Sequence, residues 1–270
     1  MAETEKPLAG KRIVVTRAPA QAQELTRSLE RMGAEVLLLP MVAFAPPDDW
    51  SAVDAALRAW AQFDWVLFTS RNAVRFLRGR ATQLGATSQF AARTPKTAAV
   101  GPATAAAAGA EGFRVDYVAE EHSGAGLARE LRDALAGKGV LLPRSDLADS
   151  RLPEALREIG SRVTEVVAYR TVAPELPDPA ILADVRAGRA DAILFSSASA
   201  FHNFMGFIGA SELTKLSERV AFAAIGPSTA AAIRGAGVRV EIEAEESSAD
   251  GLASSLAHYY ERSSHAARRA

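Results

Sequence analysis

The feature that most constrains this chain is that it contains itself twice. One constant shift aligns Arg17 with Arg144, Leu25 with Leu152, Leu29 with Leu156 and Gly33 with Gly160. The same shift goes on to align Asp64 with Asp191, Phe68 with Phe195, Ser70 with Ser197 and Ala73 with Ala200. After a short slip the match resumes, pairing Gly101-Pro102 with Gly226-Pro227, Thr104 with Thr229, Gly112 with Gly237, Glu120-Glu121 with Glu245-Glu246 and Leu127 with Leu252. Two units of about 125 residues are too few and too long for a solenoid, so the repeat reads as a duplicated domain.

Within a unit, short β-branched runs alternate with helical stripes. RIVVT is followed by the Leu25, Leu29, Met32 stripe, then EVLLLP, a helical stretch over 50–61, and DWVLFT. A helix from Asn72, the strand TAAV, a helix from Ala103, the strand RVDYV and a helix from Ser123 complete five strands and five helices. Connections too long for hairpins make this an α/β fold, with two similar doubly wound parallel sheets covered by helices on both faces.

Segments 35–47 and 162–174 are each about twice the usual strand length of ~5–6 residues, and both end in proline. The economical explanation is that each strand leaves one lobe and continues into the other, so that the two pair as a two-stranded linker. The first βαβ piece of each repeat then completes the sheet of the opposite lobe. Two continuous domains meeting near residue 137 are the plainer arrangement.

Composition narrows the function. The 270 residues carry a net charge of −1, so no global field holds the chain on nucleic acid or an anionic membrane, and any anion must be caught locally. There is no cysteine, which removes disulfides, thiolate metal sites and a cysteine nucleophile, and the four histidines lack metal-ligand spacing. No apolar run resembles a signal peptide or a membrane span, so a cytoplasmic protein with no membrane or nucleic-acid partner is expected. No GxGxxG follows a strand, and neither a phosphate-binding P-loop nor a GxSxG elbow is present.

Sites in parallel sheets lie beyond the carboxyl ends of the strands. Those positions hold Thr16-Arg17 and PRSD (Pro143 to Asp146), FTSRNAV and FSSASAF, and VGPAT and IGPST. The last four are strand, small-residue turn and helix start, with Ser or Thr as caps and Pro early in the helix. Helix N-termini offer unbonded amides that bind carboxylate or phosphate, although each hydroxyl taken alone reads as a plain helix cap. Arg17 and Arg144 occupy equivalent strand ends, with Arg71 and Arg151 nearby in sequence, and guanidinium pairs bidentately with carboxylate. Solvated charge is the competing reading for these arginines, and packing is the competing reading for Tyr169. Asp146 and Asp149 could form a carboxylate pair, but their loop position favours solvation.

The ordered set Thr16-Arg17, FTSRNAV, VGPAT, LLPRSD with Arg151, VVAYRT, FSSASA and AAIGPSTAAAI resembles the uroporphyrinogen-III synthase family over about residues 10–260. The resemblance implies two lobes joined by a two-stranded linker. One lobe is 1–40 plus 173–262, the other is 45–168, the linker strands are 41–44 and 169–172, and 263–270 is a disordered tail. It also implies a substrate, hydroxymethylbilane, a linear tetrapyrrole with eight carboxylates that the family cyclises with inversion of ring D and loss of water through a spiro intermediate. No cofactor and no metal are implied. By resemblance Tyr169 assists departure of the hydroxyl, and Arg17, Ser70, Thr104, Arg144, Arg151, Ser197, Ser228 and Thr229 bind substrate. The chain departs from the family pattern at Arg71-Asn72, at Ser228 and in its basic tail. A monomer is expected, and a transient handoff from hydroxymethylbilane synthase is left open.

Two rivals remain at this point. A non-catalytic tetrapyrrole or anion sensor on the same fold would need an output element, and too little chain follows residue 262 for a DNA-binding domain. A two-lobed transport receptor of the periplasmic type would need a signal peptide.

Overall fold

The structure is a computed structural model and describes residues 6–90, 95–175 and 177–267. In chain order the first elements are β1 (Arg12–Val15), α1 (Pro19–Arg31), β2 (Glu35–Leu38), β3 (Ala43–Ala45), α2 (Ser51–Arg58), β4 (Trp65–Phe68) and α3 (Arg71–Gln83). Next come β5 (Lys96–Ala99), α4 (Pro102–Ala110), β6 (Val115–Val118), α5 (Gly124–Glu130), α6 (Arg132–Leu135), β7 (Gly139–Ser145), α7 (Arg151–Glu158) and β8 (Arg162–Val172). The last are α8 (Pro179–Arg186), β9 (Ala192–Phe195), α9 (Ala198–Ile208), α10 (Ala210–Ser217), β10 (Ala221–Ala224), α11 (Pro227–Gly235), β11 (Ile242–Glu243) and α12 (Ala249–Ala267).

The chain divides into two compact units, the first made of residues up to Ala43 and from Val172 onward, the second of Phe44–Thr171. The first unit holds a parallel sheet in the order β11-β10-β9-β1-β2. The second holds the order β3-β8-β7-β4-β5-β6, with parallel pairing from β8 to β6. The central pairings cross the repeats. Val14 of β1 stands opposite Ile193 of β9, and Val66 of β4 stands opposite Leu141 of β7. Each sheet therefore takes a βαβ piece from one repeat and its remaining strands from the other.

Burial explains why these strands are short and apolar. Trp65, Val66, Leu67 and Phe68 are all buried, yet Val66 and Phe68 join one core cluster with Leu57 and Leu77 while Trp65 and Leu67 join another with Leu127 and Leu156. Alternate residues of one strand thus feed two helical layers. In the first unit Ile13 and Val15 pack with Leu25 and Leu29 of α1 and with Leu252 and Leu256 of α12. The Phe195, Phe201, Phe204 and Phe222 rings pack together, with Phe195 stacked on Phe222 at 5.8 Å.

Segment 35–47 is not one continuous strand. It supplies β2 to one sheet and β3 to the other, interrupted at Leu39–Val42. Pro40 has no amide to give a ladder and restricts the residue before it. Beyond β2 the amides of Leu39 and Met41 still bond Val15 O (3.0 Å) and Thr16 O (2.9 Å). Segment 162–174 does make a long strand, β8, whose register against β7 shifts between Arg144 and Ser145. Gly209, at φ +84°, separates α9 from α10, which adds a helix to the expected five. Helix α12 continues to Ala267, so the first part of the 263–270 tail is helical; residues 268–270 lie outside the described residues.

Candidate functional site

Two of the four strand-to-helix turns carry the serine caps expected of them, whereas α4 and α11 begin at Gly101 and Gly226 with no side-chain cap. Ser70 and Ser197 are extended (φ −151° and −165°), and their hydroxyls accept from Ala73 N (3.0 Å) and Ala200 N (3.2 Å). Each keeps a second interaction: Ser197 Oγ lies 3.0 Å from Ser199 Oγ, and Ser70 Oγ lies 3.1 Å from Tyr169 Oη. At the next turns Pro102 and Pro227 open α4 and α11, with Thr104 and Thr229 buried in the first turn and Ser228 exposed. A Cβ on Gly226 would lie 2.4 Å from Ser247 Oγ, so any side chain there would have to turn the exposed Ser247 hydroxyl away.

Tyr169 has two faces to its role. Its ring belongs to the core of the second unit, stacked on Phe76 (5.7 Å, 16°) and edge-on to Phe44 (5.7 Å, 80°). Its hydroxyl reaches the Ser70 cap at the carboxyl end of β4. Ring packing fixes where the hydroxyl oxygen sits, and the Ser70 hydroxyl lies within hydrogen-bond reach of it. The pair brings a phenol and an alcohol, each able to donate and to accept, to one point on the rim of the sheet.

Beside β7 lies a cavity of about 340 Å³ whose lining includes Thr69, Ser123, Leu142, Arg144, Leu147 and Arg151. The two arginines there differ in kind. The Arg144 side chain is 9% exposed; its Nη1 donates to Glu165 Oε2 at 2.6 Å and its Nη2 to Asp149 O, while Glu165 also pairs with Arg157. The Arg151 side chain is 85% exposed and donates from Nη2 to Asp149 Oδ2 at 2.7 Å. That contact holds the Asp149 carboxyl below the usual carboxylate range and raises the guanidinium. Asp146 does not pair with Asp149; its Oδ1 accepts from Ser145 Oγ and Thr171 N, both at 2.9 Å.

Arg17, Ser197, Ser228 and Thr229 lie in the first unit, Arg17 half-buried after β1, Ser197 capping α9 after β9, and Ser228 and Thr229 in the first turn of α11 after β10. Ser70, Thr104, Arg144, Arg151 and Tyr169 lie in the second. The structure brings together Ser70 with Tyr169, and Arg144 with Arg151 at the cavity. Sequence reasoning missed Thr69, Leu147 and Glu165, and read Asp149 as solvated. Thr69 could have been found as the neighbour of Ser70, but nothing in the sequence couples Glu165 to Arg144. Among the described residues no group of three or more His, Asp or Glu could hold a metal ion, and no helix is long and apolar enough to cross a membrane.

The family model described as uroporphyrinogen-III synthase HemD matches residues 23–254, most of the chain and both repeats. The chain belongs to the uroporphyrinogen-III synthase family. Among uroporphyrinogen-III synthases, that of Synechococcus elongatus is 34% identical over 92% of this chain and 95% of its own length. That of Chlorobaculum parvum is 28% identical over 92% and 98%. The crystal structure of uroporphyrinogen-III synthetase from Helicobacter pylori covers 92% of this chain and 98% of its own, with a TM-score of 0.64 at 19% identity, a likeness of fold. Membership in the synthase family favours an enzyme over the sensor and transport readings.

Proposed function

We propose that this chain cyclises hydroxymethylbilane to uroporphyrinogen III. Family membership across 23–254 carries the reading, and the Tyr169–Ser70 hydroxyl pair gives it a chemical centre. The hydroxymethyl oxygen leaves as water, taking a proton from the Tyr169 side of the pair. The resulting azafulvene is attacked by the substituted carbon of ring D to give a spiro intermediate, and fragmentation and reclosure invert that ring.

The bilane also closes without enzyme and without inversion, so the protein must favour one closure over another. A hundredfold preference requires about 2.7 kcal/mol of barrier difference, well within what positioning supplies. Strongly titrating catalytic groups are not needed. Local donors are, because eight carboxylates approach a chain of net charge −1. Arg151 and Arg17, the helix-start amides after Ser70, Gly101, Ser197 and Gly226, and the hydroxyls of Thr104, Ser228 and Thr229 are proposed to bind them. Arg144 holds the wall of the cavity. The same reading makes the protein a cytoplasmic monomer, and the readiness of free bilane to close favours a transient handoff from the synthase that makes it.

Bilane generated enzymatically, incubated with the protein, oxidised and separated by chromatography tests the reaction. Type III uroporphyrin that depends on the protein supports it; type I alone from folded protein removes it.

A further inference from the structure

Three hydrogen bonds converge on Asp149. Its carbonyl accepts from Arg144 Nη2, its Oδ1 from Arg151 N at 3.0 Å, and its Oδ2 from Arg151 Nη2 at 2.7 Å. The residue that follows, Ser150, gives α7 no side-chain cap, so Asp149 does that work from one position upstream. Resting on the reading above, we propose that Asp149 is a positioning residue of the substrate site, whose carboxylate occupies the Arg151 guanidinium until a carboxylate of the tetrapyrrole displaces it.

Arg144 is buried and has both terminal nitrogens committed to protein acceptors, so it anchors the 145–150 loop. Ser145 tightens that loop, its carbonyl accepting from Ala148 N at 3.2 Å. Arg151 opens α7 at the cavity lining, and its pair with Asp149 is exposed on both sides (85% and 58%). An exposed pair of this kind contributes little, because solvent screens it. It is strong enough to hold the guanidinium over the cavity and weak enough to exchange. A bidentate contact with an incoming carboxylate replaces it at little cost.

Asp149→Asn separates charge from geometry, because the amide oxygen still caps Arg151 N and the main-chain carbonyl still meets Arg144. The expected result is a KM for bilane lowered about two- to five-fold, as the pair's modest worth implies, with the change on KM rather than kcat and shrinking as salt rises. In an Arg151→Gln background the gain disappears. A KM that rises or stays the same in Asp149→Asn overturns the proposal, and so does a gain that persists without Arg151. Fluorescence titration with uroporphyrin III, a stable octacarboxylate, gives the same ordering of affinities without turnover. Protein that shows this ordering but makes no type III isomer overturns the reaction and leaves the role of Asp149 standing.

Discussion

Buried Tyr169 and half-buried Ser70 share one hydrogen bond, which couples their contributions. Tyr169→Phe keeps the stack on Phe76 and the edge contact with Phe44, so the fold should lose no more than one hydrogen bond, about 1 kcal/mol. Turnover should fall about 3- to 100-fold, equivalent to about 0.7–2.7 kcal/mol at the transition state; steady-state kcat unchanged from wild type would remove the phenol from the chemistry. Ser70→Ala loses the cap on Ala73 N as well, a stability cost of about 1 kcal/mol visible in denaturant midpoints. In the double variant the two kcat losses should not add, since each single change already breaks the shared bond. At this scale the sequence was only partly legible. A Ser before a helix announces its cap, and Ser70 and Ser197 cap as expected, but the partner of a side chain across the sheet is invisible in one dimension. That is why Arg144 and Arg151 looked alike in sequence, while the structure ties buried Arg144 to Glu165 and the Asp149 carbonyl and leaves exposed Arg151 on the Asp149 carboxylate.

At the scale of elements, the duplicated Glu-x-Ser-x-x-Gly runs open α5 and α12 in the same way. Ser123 Oγ accepts from Gly126 N and Ser248 Oγ from Gly251 N, both at 2.9 Å. A Cβ on either glycine would lie 2.5 Å from Glu121 O or 2.3 Å from Glu246 O. Gly126→Ala and Gly251→Ala should each destabilise by about 1–3 kcal/mol through overpacking, measured by denaturant unfolding; midpoints within error of wild type would show that the turn relaxes freely. Between α2 and α3, Arg80 grips Asp54 through two bonds of 2.7 Å and lies over Trp50 at 5.1 Å. The pair holds the Asp54 carboxyl below its usual range, so its stabilisation is complete above the ordinary carboxylate pKa of about 3.9 and fades as pH falls through the lower folded value. The midpoint gap between wild type and Asp54→Asn should therefore narrow on acidification from about pH 6 to pH 3; a gap independent of pH would contradict the linkage. Element order was readable from the alternation of β-branched and helical runs. The interruption at Pro40 was readable in principle, since a proline inside a strand argues for a break, whereas the length of 35–47 by itself suggests one continuous strand.

For the whole molecule, the repeat was legible because duplication copies pattern, and the parallel α/β class followed from the alternation of elements. The length of segments 35–47 and 162–174 pointed to the exchange of a βαβ piece between the repeats, but the strand order within each sheet was not legible, because it depends on contacts far apart in the chain. With β1 beside β9 and β4 beside β7, a fragment ending near residue 137 would leave both sheets without a central partner. A fragment spanning 44–171 keeps one compact unit and nearly all of its sheet, at an ordinary domain size. The second fragment should unfold cooperatively by circular dichroism and the first should not; the reverse would mean that the repeat, not the compact unit, is the folding unit. If the protein redirects a closure that bilane performs unaided, the isomer ratio reports the redirection. With enzymatically generated bilane and rising amounts of protein, the type III share of total uroporphyrin should climb until type I is a minor product. A ratio that stays at the type I product of the uncatalysed reaction, however much folded protein is added, would contradict it.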